Sequence, residues 1–346
     1  MSEQTLQLPA VFDRYRDDID AGLRMALGGR DLPLYDMLRY HLGWLDEQGK
    51  PLISSSGKAL RPTLCLLASE ANRGERHRVL PAAVAIELVH HYSLIHDDIQ
   101  DNDTERHHRP TVWSIWGKSQ AINAGSAMRV LASLVILGLD KCGVSRQKRL
   151  EAQRLLDESC LQMIEGQYLD ISYERRLDIS IADYLDMVVR KTAALIGCAT
   201  EMGALLSVDS RDNIEGLRNF GQSLGLAFQM RDDILGIWGE DRHTGKPHGN
   251  DIRRRKKSLP VVYALEKASG KSRKELLAIY QKEQVDDADL KTVLEELDVL
   301  KARSYTQEMA TTYCRKALSE IEGLDLPDAA RRDLEEIAYF LADRDF

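Results

Sequence analysis

Apolar residues recur at intervals of three and four along most of this chain, which is the spacing of α-helices rather than β-strands. The clearest example follows Pro81, a residue able to open a helix, and continues to Ile99. Related patterns cover residues 150–168, 181–206 and 214–237. Only 9 of the 346 residues are proline, so few positions interrupt these helices. We therefore predict an all-α fold.

The breaks between the helical stretches are short and polar, and none has the Ser/Gly or Pro composition of a linker. Residues 1–346 are therefore expected to form a single helical domain. No segment combines a series of strands with a glycine-rich phosphate turn, which argues against a nucleotide-binding α/β fold. The formal net charge of -8 argues against a general nucleic-acid-binding protein.

The sequence has no sign of export or membrane insertion. Its N-terminus lacks the basic start and apolar run of a secretory signal. The most apolar internal run, residues 130–139, is too short to cross a bilayer. The 5 cysteines show none of the paired spacings of a zinc or redox site, which fits a reducing compartment. We expect a cytoplasmic protein with no transmembrane segment.

Carboxylates end two of the apolar helical stretches. The first cluster is Asp97, Asp98 and Asp101 in HDDIQD, and the second is Asp232 and Asp233 in MRDDILG. Carboxylates within apolar faces are costly unless a metal or a partner neutralises them, and magnesium prefers oxygen ligands. One such cluster alone would be a hydrated helix end more often than a site. Two together favour a magnesium site between facing helices.

Three cationic segments accompany the two acidic clusters. They are SSGKALRP with Lys58 and Arg61, DTERHHRP with Arg106, and GKPHGNDIRRRKKSLP with Lys246 and Lys256. Phosphate oxygens attract both metals and charged donors, so cations beside metal-binding carboxylates suit a diphosphate. Part of the RRRKK run could equally be a solvated surface. The combination nevertheless predicts diphosphate binding.

Taken in order, these motifs resemble those of the trans (E-type) prenyl diphosphate synthases. The matching segments, each weak alone but specific as an ordered set, are GKALRP at 57–62, DDIQD at 97–101, RPT at 109–111, KT at 191–192, FQ at 228–229, DDILG at 232–236 and GKPHGND at 245–251. The resemblance implies an isoprenoid synthase-type antiparallel helical bundle around a central apolar cavity, assembled as a homodimer. It also implies a prenyltransferase of isoprenoid biosynthesis that condenses isopentenyl diphosphate with dimethylallyl, geranyl or farnesyl diphosphate.

The same resemblance implies roles for individual residues. The side chains implied to bind three Mg²⁺ ions are Asp97, Asp98, Asp101, Asp232 and Asp233. Those implied to contact the allylic diphosphate, of which the first two also count as catalytic, are Arg106, Lys191, Thr192, Gln229, Lys246 and Lys256. Those implied to receive isopentenyl diphosphate are Gly57, Lys58, Arg61 and His90. Tyr92 and Ser93 would face down the cavity, where a bulky Tyr92 forms a floor that limits the product to farnesyl or geranylgeranyl diphosphate; Tyr92 could equally be a core aromatic.

Three positions depart from the family pattern. His107 follows Arg106 where a second arginine is usual, which removes a permanent cation from the isopentenyl diphosphate site. Ala59 replaces a basic residue, and Gly236 replaces the last aspartate of the second cluster, leaving two carboxylates there. Two alternatives therefore stay open: a terpene cyclase of the same fold, and a non-catalytic subunit of a heteromeric synthase. The retained isopentenyl diphosphate motif argues against the cyclase.

Overall fold

The computed structural model describes residues 8–52, 59–239 and 249–344. Helices dominate these ranges, and the all-α prediction is confirmed. In chain order the α-helices are α1 (Val11–Leu27), α2 (Pro33–His41), α3 (Leu60–Ala71), α4 (Arg76–Gln100), α5 (Val112–Trp116), α6 (Lys118–Ile136), α7 (Arg146–Tyr173), α8 (Ile181–Val188), α9 (Ala194–Ser207), α10 (Arg211–Trp238), α11 (Asn250–Arg253), α12 (Leu259–Lys267), α13 (Gly270–Gln281), α14 (Asp287–Val299), α15 (Ala302–Glu322) and α16 (Asp328–Asp343). The remaining elements are a 3-10 turn (Leu137–Cys142), a π-helical turn (Val189–Ala193) and two strands, β1 (Glu105–Arg106) and β2 (Arg109–Pro110).

Helix α9 lies at the centre of the bundle. All but two of its residues are buried, so it is apolar on every face rather than amphipathic. It packs against α3, α7 and α10. A Cβ atom at Gly203 would lie 2.1 Å from the carbonyl oxygen of Cys65, so this glycine lets the backbones of α9 and α3 touch. The long helices α4 and α10 pack around this centre and carry the two acidic clusters at their C-terminal ends.

Helix α4 begins earlier than the sequence suggested. It starts at Arg76, so the expectation that Pro81 opens the helix was wrong. Pro81 cannot donate a bond to the carbonyl group four residues earlier, which belongs to His77. The side chain of His77 is 72% exposed, so water can reach this first turn and replace the missing helical hydrogen bond.

A two-stranded antiparallel hairpin follows the first acidic cluster and was not foreseen in the sequence. Arg106 pairs with Arg109 across it. His107 and His108 form the turn with φ angles of 50° and 58°. Two consecutive left-handed residues match the right-handed twist of a tight hairpin. The hairpin turns Arg106 back toward the end of α4.

Two helical segments have the length and apolar composition of a membrane span. In Arg76–Gln100 and Lys118–Cys142, respectively 61% and 39% of the most apolar window is buried inside the protein. The apolar run at 130–139 therefore belongs to a longer apolar helix than the sequence indicated. Buried core helices satisfy the same length and hydropathy criteria, and no membrane is needed to explain the first segment.

Candidate active site

A cavity of about 1220 Å³ opens between α4 and α10. Asp97 and Asp98 from α4 and Asp232 and Asp233 from α10 all line it. Asp101, which directly follows α4, lies one helical turn beyond Asp97 and is not among the residues that line the cavity. The structure therefore brings both acidic clusters to one cavity.

Asp97 of the first cluster is a half-buried carboxylate that lines the cavity. Burial raises its pKa to about 6, although nearby Lys191 acts in the opposite direction. The Nζ of Lys191 donates to a carboxylate of α7, Asp170. Burial alone would lower the pKa of Lys191, but Asp170 and Asp97 outweigh it and raise that pKa. Lys191 is thus a fixed cation between two carboxylates, and Asp170 is a site residue that no motif in the sequence marked.

The position of Lys191 depends on an irregular piece of backbone. It lies in the π-helical turn Val189–Ala193, and such single turns are common at functional sites. A Cβ atom at Gly166 of α7 would lie 2.2 Å from the backbone nitrogen of Lys191. The absence of a side chain at Gly166 therefore lets α7 and the π turn touch directly.

Asp98 has a cationic partner already. The Nε of Arg106 donates to Oδ1 of Asp98 over 2.9 Å, and its Nη2 lies 2.8 Å from the same oxygen. Only 1% of Asp98 is exposed, so this pair compensates much of the cost of burying the carboxylate. The hairpin turn at His107 and His108 places Arg106 for this contact.

Asp233 of the second cluster accepts three hydrogen bonds. The donors are the hydroxyl group of Tyr184 at 2.7 Å, the backbone N–H of Leu259 at 2.7 Å and the side-chain amide of Gln229 at 3.0 Å. Burial nevertheless raises the pKa of Asp233 to about 7. Thr192 donates to Gln229 over 2.8 Å and so connects the Lys191 turn to this cluster. Tyr184 is a further site residue that sequence reasoning missed.

Asp232 is bonded to a residue from the other end of the chain. The Nη2 of Arg344, just after α16, donates to Oδ1 of Asp232. The guanidinium carbon of Arg344 lies 4.5 Å from the centre of the Phe228 ring. Arg344 itself lines the cavity. No sequence motif pointed to Arg344, because its place in the site depends on the packing of α16 against α10.

Asp251 supplies a third carboxylate to the second cluster. Gly236 was expected to leave two, but Asp251 of α11 lies against Gly236 and lines the same cavity. A side chain at position 236 would overlap the Asp251 carboxylate. The carboxylate missing from the helix is therefore supplied by the segment that follows it.

Two cations lie close to Asp101 of the first cluster. The Nζ of Lys256 lies 3.7 Å from Oδ2 of Asp101, and Nη1 of Arg254 lies 3.8 Å from the same oxygen. Arg254 also pairs with Asp103. Lys256 lines the cavity, whereas Lys246 lies outside the described residues.

A second basic region lies at another part of the cavity wall. Arg61 and His90 line it, and burial lowers the pKa of both side chains. The Nε atom of Arg61 is buried and has no hydrogen-bond partner among the described residues. His41 of α2 and His91 of α4 line the cavity as well, and the Nε2 of His41 lies 3.1 Å from the Nδ1 of His91. Gly57 and Lys58, expected in this region, lie outside the described residues.

Tyr92 and Ser93 both line the cavity. The Ser93 hydroxyl group donates to the carbonyl of His90 over 2.7 Å, so it is used within the helix. The Tyr92 ring meets the ring of His96 edge to face, with 4.9 Å between ring centres. A Cβ atom at Gly125 of α6 would lie 2.4 Å from the His96 ring. His96, held against α6, therefore forms an aromatic wall of the cavity together with Tyr92.

Among the described residues, no three His, Cys, Asp or Glu side chains are already arranged as a metal cage. Several of the carboxylates are bonded instead to Arg106, Lys191 and Arg344. This arrangement fits magnesium, which usually takes one or two carboxylates and completes its shell with water and substrate phosphate. The donor set consists of hard oxygens, with cations close enough to share a phosphate group.

Comparison with known proteins gives one consistent result. A family model described as polyprenyl synthetase matches residues 43–297. A (2E,6E)-farnesyl diphosphate synthase of Mycobacterium tuberculosis is 38% identical over 327 residues, which cover 93% of this chain and 89% of that protein. The crystal structure of a polyprenyl synthetase from Streptomyces coelicolor superposes with a TM-score of 0.89 at 36% identity, covering 96% of this chain and 99% of the other.

A third relative was crystallised with ligands. It is the geranylgeranyl pyrophosphate synthase of Corynebacterium glutamicum in complex with isoprenyl diphosphate and magnesium. It superposes with a TM-score of 0.82 at 26% identity, and the match covers 98% of this chain and 100% of that one.

Proposed function

This chain belongs to the polyprenyl synthetase family, and we propose that its cavity carries out the family reaction. The protein joins isopentenyl diphosphate to an allylic prenyl diphosphate and gives a short-chain trans-prenyl diphosphate. The relatives are named as synthases, so neither the cyclase nor the non-catalytic alternative gains support. The single observation that carries the proposed mechanism is the convergence of both acidic clusters on one cavity.

Magnesium is the proposed cofactor, with three ions per site. The proposed ligands remain Asp97, Asp98, Asp101, Asp232 and Asp233. Of these, Asp98 and Asp233 make the most hydrogen bonds and ion pairs within the protein. We therefore assign the most direct contacts with magnesium to Asp97, Asp101 and Asp232, and we add Asp251 as a fourth ligand. When bound, magnesium would neutralise the diphosphate and favour its departure. The magnesium in the Corynebacterium glutamicum enzyme supports this assignment.

The protein's own cations would hold the allylic diphosphate. Lys191 and Lys256 line the cavity beside the first cluster, and Arg106 does so from the hairpin. Negative charge grows on the diphosphate oxygens as the allylic bond breaks, so fixed cations here stabilise the transition state more than the ground state. Thr192 and Gln229 would orient the Lys191 turn. Lys246 stays a proposed contact on the basis of its motif.

The remaining basic region would bind isopentenyl diphosphate. Arg61 and His90 lie half-buried in the cavity wall, and the buried Nε of Arg61 offers a donor to an incoming anion. Gly57 and Lys58 complete this set by their motif. The apolar lining beyond it would exclude water, which could otherwise trap the allylic cation as an alcohol.

The aromatic wall formed by Tyr92 and His96 is the proposed floor of the product tunnel. Both rings line the cavity, with Tyr92 five residues and His96 one residue before Asp97 on the same helix. A growing chain that leads away from the metal cluster would meet them within a few isoprene units. We therefore propose farnesyl or geranylgeranyl diphosphate as the product.

We propose that two copies associate through the outer face of α6 and α7. That face exposes large apolar side chains at helical spacing, including Ile122, Val130 and Leu134 on α6 and Leu161 and Tyr168 on α7. An apolar face of this kind is costly in water and typical of a buried interface. Tyr168 also lines the cavity, so a partner docked here would lie next to the active site.

A cytoplasmic location is part of the same proposal. All 5 cysteines are free thiols in the structure, and four of them are buried. Free thiols fit a reducing compartment.

The reaction can be tested directly. Purified protein and Mg²⁺ would be incubated with isopentenyl diphosphate and each of dimethylallyl, geranyl and farnesyl diphosphate, and the products identified by mass. Asp97→Ala and Asp232→Ala should each lower turnover by about 100-fold or more, because charge stabilisation is lost. Asp325→Ala, which alters an exposed carboxylate far from the cavity, is the control. A hydrocarbon or alcohol formed from the allylic substrate alone would identify a cyclase, and near-normal turnover in both variants would refute the metal assignment.

A further inference from the structure

Arg344 is a buried cation bonded to a carboxylate that is proposed to bind magnesium. Only 8% of its side chain is exposed, and the Asp232 carboxylate it contacts is 38% exposed toward the cavity. We infer that the guanidinium of Arg344 occupies the metal-binding position at Asp232, and that a metal ion binding there displaces it. This inference rests on the proposed function, because it concerns Asp232 as a metal ligand.

The backbone beside Arg344 is held independently of the ion pair. The Nε of Arg231 donates to the carbonyl oxygen of Arg344 over 2.6 Å, and its Nη1 donates to the Gln307 side chain over 2.8 Å. The amide of Gln307 in turn donates to the carbonyl of Ala342 over 3.3 Å. These bonds tie the end of α16 to α10 and α15. The Arg344 side chain can therefore leave Asp232 by rotating about its own bonds, without the chain end moving.

A displaced guanidinium would keep a favourable environment. Its carbon already lies 4.5 Å from the centre of the Phe228 ring, and a cation over an aromatic face is stabilised. The side chain lines the cavity together with Leu341 of the preceding turn. After displacement it would still face the space that receives diphosphate, where a cation is useful.

The charge pattern explains why a cation is needed at this position before metal binds. Asp232, Asp233 and Asp251 line the same end of the cavity. Carboxylates gathered in a partly buried site repel one another unless a positive charge compensates them. Arg344 supplies that charge from within the chain. The guanidinium of Arg344 and a metal ion compete for the same position. Removing the guanidinium should therefore strengthen metal binding.

The test measures metal binding without substrate. Mn²⁺, which prefers the same oxygen ligands as Mg²⁺ and is visible by electron paramagnetic resonance, would be titrated into the full-length protein. Arg344→Gln removes the charge but keeps a polar side chain, and it should bind Mn²⁺ roughly two- to fivefold more tightly than the wild type, the range expected for losing one partly exposed ion pair. Arg344→Lys retains the charge and should stay close to the wild type. Arg332→Gln, which removes an exposed charge from the same helix, should also leave the affinity unchanged.

Asp232→Asn separates failure of this inference from failure of the metal assignment. If it weakens Mn²⁺ binding while Arg344→Gln binds like the wild type, the metal site stands and the role of Arg344 is wrong. If Asp232→Asn has no effect, the metal assignment at Asp232 fails, and the inference fails with it.

A crystal of the wild-type protein soaked in Mn²⁺ does not depend on any variant folding correctly. An anomalous peak beside Asp232, with the guanidinium moved away, would support the displacement. A peak there with Arg344 still bonded to Oδ1 would overturn it.

Discussion

A Cβ atom at Gly236 would lie 2.2 Å from Oδ2 of Asp251 and 2.7 Å from its Cγ. No carboxylate can share that space with a side chain on α10. The glycine is therefore not a simple loss from the second aspartate cluster. It makes room for a carboxylate carried by α11, so the cluster contains three acidic groups from two segments.

We predict that restoring an aspartate on the helix is harmful. Gly236→Asp should lower kcat/KM by about 10-fold or more, because it displaces Asp251 and adds a repelling carboxylate. Asp251→Asn should also lower it, and the exchange variant Gly236→Asp/Asp251→Gly should recover part of the loss. Gly138→Asp is the control, since nothing lies within 4 Å of a Cβ there. A Gly236→Asp variant more active than the wild type would contradict this account.

The contact between Gly166 and the Lys191 backbone predicts a second glycine effect. In Gly166→Ala the new methyl group would lie 2.2 Å from the Lys191 nitrogen, so the π turn must shift. We expect turnover to fall by about 10-fold through a misplaced cation, since small displacements at a reacting centre are costly. Steady-state kinetics and a thermal melt would be compared with Gly323→Ala, where a Cβ meets nothing within 4 Å. Equal turnover in the two variants would argue against this positioning role.

The proposed floor predicts a change in product length. Tyr92→Ala removes a ring that lines the cavity and contacts His96. The tunnel should deepen, and the product distribution, measured by mass after hydrolysis of the diphosphates, should shift by at least one isoprene unit. Tyr339→Ala, at a site 59% exposed on α16, should leave the products unchanged. An unaltered distribution in Tyr92→Ala would mean that Tyr92 is only a core aromatic.

Helical periodicity and ordered motifs were sufficient to predict the all-α fold and the family. They also indicated Asp97, Asp232 and Lys191, because these residues lie in motifs whose spacing is local. Asp170 and Tyr184 could not be found in this way, since their roles arise from contacts with residues 21 and 49 positions away. Such contacts depend on how helices pack, which periodicity alone does not specify.

The exposed apolar face of α6 and α7 predicts self-association. Leu134 is 50% exposed on α6 within this face, and a glutamate there would carry a charge into any interface. Leu134→Glu should change a dimer into a monomer in sedimentation experiments, because burying an unpaired charge is strongly unfavourable. Met25→Glu is the control, as Met25 is 82% exposed on α1, away from this face. A wild-type protein that sediments as a monomer would refute the proposed dimer.

The buried histidines predict a loss of stability in acid. Burial lowers the pKa values of His41 and His90 well below the 6.5 of an exposed histidine. The unfolded chain therefore binds more protons than the folded protein once the pH falls below 6.5, so the free energy of unfolding decreases as the pH is lowered further. Each of these groups should contribute about 1 kcal/mol to the decrease between pH 7.5 and pH 5.5.

Urea unfolding at these two pH values provides the measurement. His41→Gln keeps a hydrogen-bonding side chain beside His91 but cannot titrate. Between pH 7.5 and pH 5.5 its free energy of unfolding should therefore decrease by about 1 kcal/mol less than that of the wild type. His77→Gln is the matched control, because the His77 side chain is 72% exposed rather than buried. If His41→Gln and His77→Gln show the same pH dependence, His41 does not cause the acid sensitivity.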